Sequence, residues 1–187
     1  MLMRRPRSWV ISAGAVVALA IAGCGESKVS QCNRLAEVVN QTQGFMQEFE
    51  TEIQSFSTNA AQVRSLDDIK SAANQYITAV DTVVTNLDGL VADLEGTDLS
   101  DEQLVAYRDR YVEVVRGFSG ALGQASSAMG IVEGVGAEAE LPGKIEESQQ
   151  QTMQAVNTIQ ELSVEESSII SEVNSYCGAD AGSAGGE

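Results

Sequence analysis

Three cysteines, Cys24, Cys32 and Cys177, are the side chains in this 187-residue sequence with the clearest chemical potential. A thiol can attack an electrophile, bind a soft metal or form a cross-link. The sequence contains no histidine. That removes Ser-His-Asp and Cys-His catalysis, histidine-based zinc or copper sites and histidine-ligated haem. Carboxylates remain, and two acids that meet across a fold can hydrolyse a glycosidic bond, but no spacing here singles out a pair. The acidic stretch Asp93–Glu102 invites a calcium reading. It does not match an EF-hand loop, because the required glycine position holds Asp98 and the twelfth holds Leu104. Asp101 and Glu102 fit better as carboxylates in a helix's first turn. No catalytic residue, metal ligand or cofactor is assigned.

Cys24 has a context of its own. Arg4, Arg5 and Arg7 form a basic start, Val10 to Ala22 form a largely apolar run, and Ala22 and Gly23 lead into the cysteine. Those are the parts of an export signal. The run's thirteen residues are too few for a bilayer core that needs about 20. Ile21-Ala22-Gly23-Cys24 resembles the lipobox of bacterial lipoproteins, a resemblance confined to the leader. It implies cleavage after Gly23 and diacylglycerol on the Cys24 sulfur. It also implies acylation of the new amino group, and the resulting two or three acyl chains hold a protein stably where a single myristoyl chain binds only marginally. In the sorting rule of enteric bacteria, aspartate after the lipidated cysteine retains the protein at the inner membrane. Gly25 stands there, so the rule points to the outer membrane. The expected location is the periplasmic face of the cell envelope.

Removing residues 1–23 leaves a chain long enough for one well-cored domain. Of the 11 basic residues three lie in the leader, so eight remain against 27 acidic ones, a net charge of −19. Such a field opposes nucleic acid as a partner and suits a well-solvated surface or a cationic partner. No oligomeric state is assigned.

The chemistry-bearing residues are carried by a chain with helical periodicity. Apolar residues recur at steps of three, four and seven in four long segments. The first runs from about Ser30 to Phe56. The second starts at Ser65, placed to cap a helix with Asp68 in its first turn, and ends at Gly96. The third opens on Ser100-Asp101-Glu102-Gln103, which has capping-box spacing, and weakens through Gly130, Gly134 and Gly136. The fourth begins near Pro142 and ends at Cys177-Gly178, before a disordered tail at 178–187. The expected class is all-α: an elongated antiparallel up-down-up-down four-helix bundle over 32–177, tethered to the lipid by residues 24–31.

That topology puts the start of the first helix and the end of the fourth at one end. Cys32 and Cys177 occupy those places, and the lipobox implies an oxidising compartment. A Cys32–Cys177 disulfide is therefore expected, with two separate buried thiols as the alternative. Loops 57–64 and 133–142 would then project away from the membrane and offer surface to an envelope protein partner. Phe45, Phe49 and Phe56 lie at the height of Gly117, Gly120 and Gly123. Close packing of rings on small residues is the expectation, and a pocket for an apolar ligand is the alternative. The Tyr107–Arg116 stretch concentrates arginines that should pair with carboxylates on neighbouring helices. The expected function is a lipid-anchored, non-enzymatic binding or scaffolding module. The alternative is a carrier or sensor of a small apolar ligand.

Overall fold

The computed structural model describes residues 26–178, so Gly23, Cys24, the leader and the tail from 179 lie outside the described residues. Among the described residues five α-helices follow one another: α1 Lys28–Val39, α2 Thr42–Ala60, α3 Leu66–Gly96, α4 Glu102–Glu133 and α5 Leu141–Gly178, with a short 3-10 helix at Glu138–Glu140. There is no strand among the described residues. No helix among them is long and apolar enough to cross a membrane.

The first expected segment is divided. At Asn40-Gln41 the backbone tightens: Gln41 N–H donates to Val38 O and Gly44 N–H to Gln41 O, the three-residue reach of a 3-10 turn. The Thr42 hydroxyl donates to Val39 O at 2.9 Å and takes up a carbonyl near the break. The segment is also longer than expected. Ser27 caps α1 by accepting from Ser30 N–H, so Lys28 to Gln31 are helical rather than tether. At the other end α2 continues through Ala60, where the Ser57 and Thr58 hydroxyls turn back onto their own helix at Ile53 O and Gln54 O.

Ser65 caps α3 by accepting from Asp68 N–H, as the sequence predicts. The capping box at Ser100 does not form. Asp101 is the cap of α4, its Oδ1 accepting from Gln103 and Leu104 N–H at 3.0 Å, and Ser100 is drawn to another partner. Gly117, Gly120, Gly123 and Gly130 do not interrupt α4, which runs unbroken to Glu133 and ends where expected, with Gly134 as its C-cap. Buried Ala121, Ala125 and Ala128 let neighbouring helices approach closely, and that packing outweighs a glycine penalty of about 1 kcal/mol each.

Side-chain pairs give the chain directions. Glu95 meets Arg116, Asp88 meets Ser119 and Asp81 meets Ser126, so α3 and α4 are antiparallel. Glu172 meets Arg110 and Glu166 meets Tyr111, so α4 and α5 are antiparallel as well. Asn59 and Ser55 both reach Gln75, placing the end of α2 beside the start of α3. Among the described residues Leu90, Leu94, Leu104, Val80, Val114 and Ile169 are the largest fully buried side chains. The core thus sits chiefly between α3 and α4. Along its 38 residues α5 buries only Ser148, Ala155 and Ile169.

Candidate functional site

Two places combine buried polar chemistry with an unusual setting. The first is the end of the molecule where α1, α5 and the α3–α4 connection meet. Cys32 and Cys177 are joined there by a disulfide, Cα to Cα 6.0 Å, across 145 residues of sequence. One residue before Cys32, Gln31 is 3 % exposed and turned toward the connection. Its Oε1 accepts from Ser100 and Asp101 N–H at 2.7 and 2.9 Å, and its Nε2 donates to Ser100 Oγ. This is why Ser100 does not cap α4.

Tyr176 lies beside Cys177 and donates its hydroxyl to the Asp101 carboxylate at 2.9 Å, while Lys28 Nζ sits 3.5 Å over its ring. The Leu104 N–H, with help from Tyr176, Gln103 and the Lys28 charge, holds the Asp101 carboxyl below the usual aspartate range. Every polar group in this cluster has structural work to do. Among the described residues there is no group of three acidic or cysteine side chains placed to hold a metal.

The second place is a cleft between the α1–α2 limb and α5. A cavity of about 280 Å³ lies between α2 and α5, with α3 and α4 behind it. Phe45 and Phe49 form one wall, Val83, Leu87, Val115, Phe118 and Leu122 the back, and Ile159, Ser163 and Glu166 the other wall. A second hollow of about 360 Å³ continues past the α1–α2 break, between Leu35, Val39 and the α5 residues Ile169 and Val173. The two hollows share Thr42, Tyr111 and Glu166. There the buried Tyr111 hydroxyl donates to Glu166 Oε1 at 3.0 Å. Burial first, and the Glu166 charge second, push that hydroxyl well above the ordinary tyrosine value.

The six pocket residues named from the sequence do not form one site. Phe45 and Phe49 line the cavity, but Phe56 packs on Tyr76 with ring centroids 5.4 Å apart. Gly117 abuts Leu162 of α5, whose Cδ2 lies 2.8 Å from where a Cβ would stand. Gly120 and Gly123 border a polar hollow with Gln124, Ser127, Gln151 and Gln154. The helical repeat explains the separation. Tyr111, Val115, Phe118 and Leu122 recur at steps of four and three and make one stripe of α4, while Gly117, Gly120 and Gly123 lie on an adjacent one. Phe45 and Phe49 therefore share the cavity with Phe118 and Leu122, not with the glycines. The sequence reading did not single out Glu166 or Gln31, because a glutamate or glutamine in a helix resembles any solvated residue until its neighbours are known.

The arginines of Tyr107–Arg116 do reach other helices. Arg110 pairs with Glu172 at 2.7 Å and Arg116 with Glu95, while Arg108 pairs locally with Asp109. The guanidinium of Arg110 holds the Glu172 carboxyl below its ordinary range. The two outer connections are shorter than the loops drawn from the sequence. Residues 57–60 belong to α2, and 138–142 to the 3-10 helix and the start of α5. The chain matches no protein-family model, no curated protein and no solved structure.

Proposed function

We propose that this chain is a lipoprotein of the bacterial cell envelope, held at the periplasmic face through acyl chains on Cys24 and presenting a non-enzymatic helical binding module. In this reading α1 and α2 together form the first, broken member of an up-down-up-down four-helix bundle, a view the antiparallel pairing of α3, α4 and α5 supports. The observation that carries the proposal is the Cys32–Cys177 disulfide, which closes eight residues after the lipobox cysteine and belongs to an oxidising compartment. Metabolic labelling with a fatty-acid probe and membrane fractionation test it. Label on the wild-type protein, lost together with membrane association in Cys24→Ser, is the expected result. An unlabelled protein in the soluble fraction would overturn it.

The connections at 61–65 and 134–137, farthest along the helices from the disulfide, are where an envelope protein partner would bind a scaffold. A second reading, the carrier of a small apolar ligand, is favoured by the cleft at Tyr111 and Glu166. Its two hollows, about 280 and 360 Å³, lie near the lower end of the ligand-pocket range of about 300–1,000 Å³. Intact-cell crosslinking that recovers a stoichiometric protein supports the scaffold. A co-purifying small molecule in native mass spectrometry supports the carrier.

A further inference from the structure

The cleft is lined mainly by apolar side chains, with Ser163 in the cavity, Asn40 and Asn174 in its continuation, and one carboxylate at the junction of the two. Phe45, Phe49, Phe118 and Leu122 line the cavity on one side of that point. Val39 and Val173 line the continuation on the other. At the junction stands the Glu166 carboxylate, held through one oxygen by the Tyr111 hydroxyl. Tyr111 is itself only 3 % exposed and is a neutral donor. Among the described residues no lysine or arginine pairs with Glu166, whereas Glu172 on the same helix has Arg110.

A carboxylate offers about four acceptor positions, so one hydrogen bond leaves most of its capacity for another partner. Beside apolar walls its attraction for a cation is stronger than in bulk water. The acidic chain, with a net charge of −16, also raises the local concentration of cations. Anion and hydrocarbon together match a molecule with a cationic head and an apolar body.

We propose that this cleft binds a small amphiphilic amine, with the ammonium on Glu166 and the hydrocarbon between Phe49 and Phe118. The proposal rests on the carrier reading and adds the charge class of the ligand. Phe45, Phe49 and Val83 also border a groove between α2 and α3, so the cavity wall they form has a hollow on its other face as well.

Calorimetric titration with octylamine, octanol and octanoate, all below their aggregation concentrations, tests it. The protein is the chain from residue 24 onward with its disulfide intact, which contains every described residue of the fold; Cys24→Ser keeps acyl chains out of the assay. Octylamine should bind at least about tenfold tighter than octanol, the gain of one charge-assisted hydrogen bond, with octanoate weakest. Glu166→Gln should remove that preference and leave octanol affinity unchanged. Glu133→Gln, which removes one charge at the far end of α4, should preserve the preference. Phe118→Trp, which fills the cavity, should weaken all three ligands. Equal binding of amine and alcohol, or an amine preference that survives Glu166→Gln, would overturn the amine proposal while leaving the carrier reading intact. Binding that Phe118→Trp leaves unchanged would place the site elsewhere and overturn the proposal. Failure of all three probes to bind would overturn both.

Discussion

Gln31 Oε1 accepts a hydrogen bond from the backbone N–H of Asp101 at 2.9 Å, linking α1 to the cap of α4 across 70 residues. The same oxygen also receives the Ser100 N–H. A single buried amide thus satisfies two donors of a connection that has no regular structure of its own.

Gln31→Ala should destabilise the fold by about 2–4 kcal/mol, because it leaves two backbone donors without their partner, each worth about 1–3 kcal/mol when buried. Gln31→Glu keeps the acceptor oxygen but buries a carboxylate and turns its second oxygen onto the Glu26 carbonyl that Nε2 now donates to, so it should cost at least as much. Urea denaturation of both variants checks the order. A loss below 1 kcal/mol in Gln31→Ala would show that water replaces the amide without penalty.

Reduction of the Cys32–Cys177 bond should lower stability by about 2–5 kcal/mol, chiefly through the larger freedom of the unfolded chain. The double variant Cys32→Ser, Cys177→Ser should show the same loss with or without reductant. Thermal melts under both conditions measure it. The helical content of the folded protein should change little, since the bond closes the ends of helices that pack elsewhere.

Asp101 gives the fold an acid limit. Its folded carboxyl lies below the ordinary value of 3.8, so the folded state binds that proton more weakly than the unfolded chain does. The stabilisation is complete above 3.8 and is lost as pH falls below that value toward the folded one. Asp101→Asn, which retains a side chain able to cap α4, should flatten the fall in stability between about pH 4 and pH 2. Melts across that range provide the measurement, and an unchanged acid slope would assign the limit to Glu172, Asp68 or Glu26, whose carboxyls are also held low.

The glycines of α4 should respond differently to a methyl group. A Cβ at Gly120 or Gly123 meets nothing within 4 Å, so alanine there should stabilise by about 0.5–1 kcal/mol through helix propensity alone. At Gly117 the same atom would meet both Leu162 Cδ atoms, at 2.8 and 2.9 Å. Gly117→Ala should therefore gain less or lose stability, because Leu162 must change rotamer. Chemical denaturation of the three single variants makes the comparison, and a uniform gain would show that Leu162 moves freely.

Much of the fold is legible in the sequence. Apolar steps of three, four and seven announced helices, since a helix buries one stripe of its surface whatever its partners are. Ser65 announced a helix start, because a serine oxygen can satisfy an amide donor within its own turn. Placing Cys32 and Cys177 near opposite ends of an even series of long segments brought their sulfurs together on paper, and the structure joins them. These features depend on local geometry or on simple counting along the chain.

Tertiary structure decided the rest. Whether Ser100 or Asp101 capped α4 depended on Gln31, a competitor 69 residues away from Ser100. Whether α4 broke at its glycines depended on the helices pressed against Ala121, Ala125 and Ala128. The pocket residues divided because a shift of one position turns a helical side chain by about 100°, enough to separate Phe118 from Gly117. Glu166 acquired its distinctive setting only when Tyr111 and the aromatic wall came to surround it. The sequence by itself determined the helical class, the order of the long segments and the pairing of the cysteines, though not the break at Asn40-Gln41; contacts between distant segments decided which polar atoms are buried and what surrounds them.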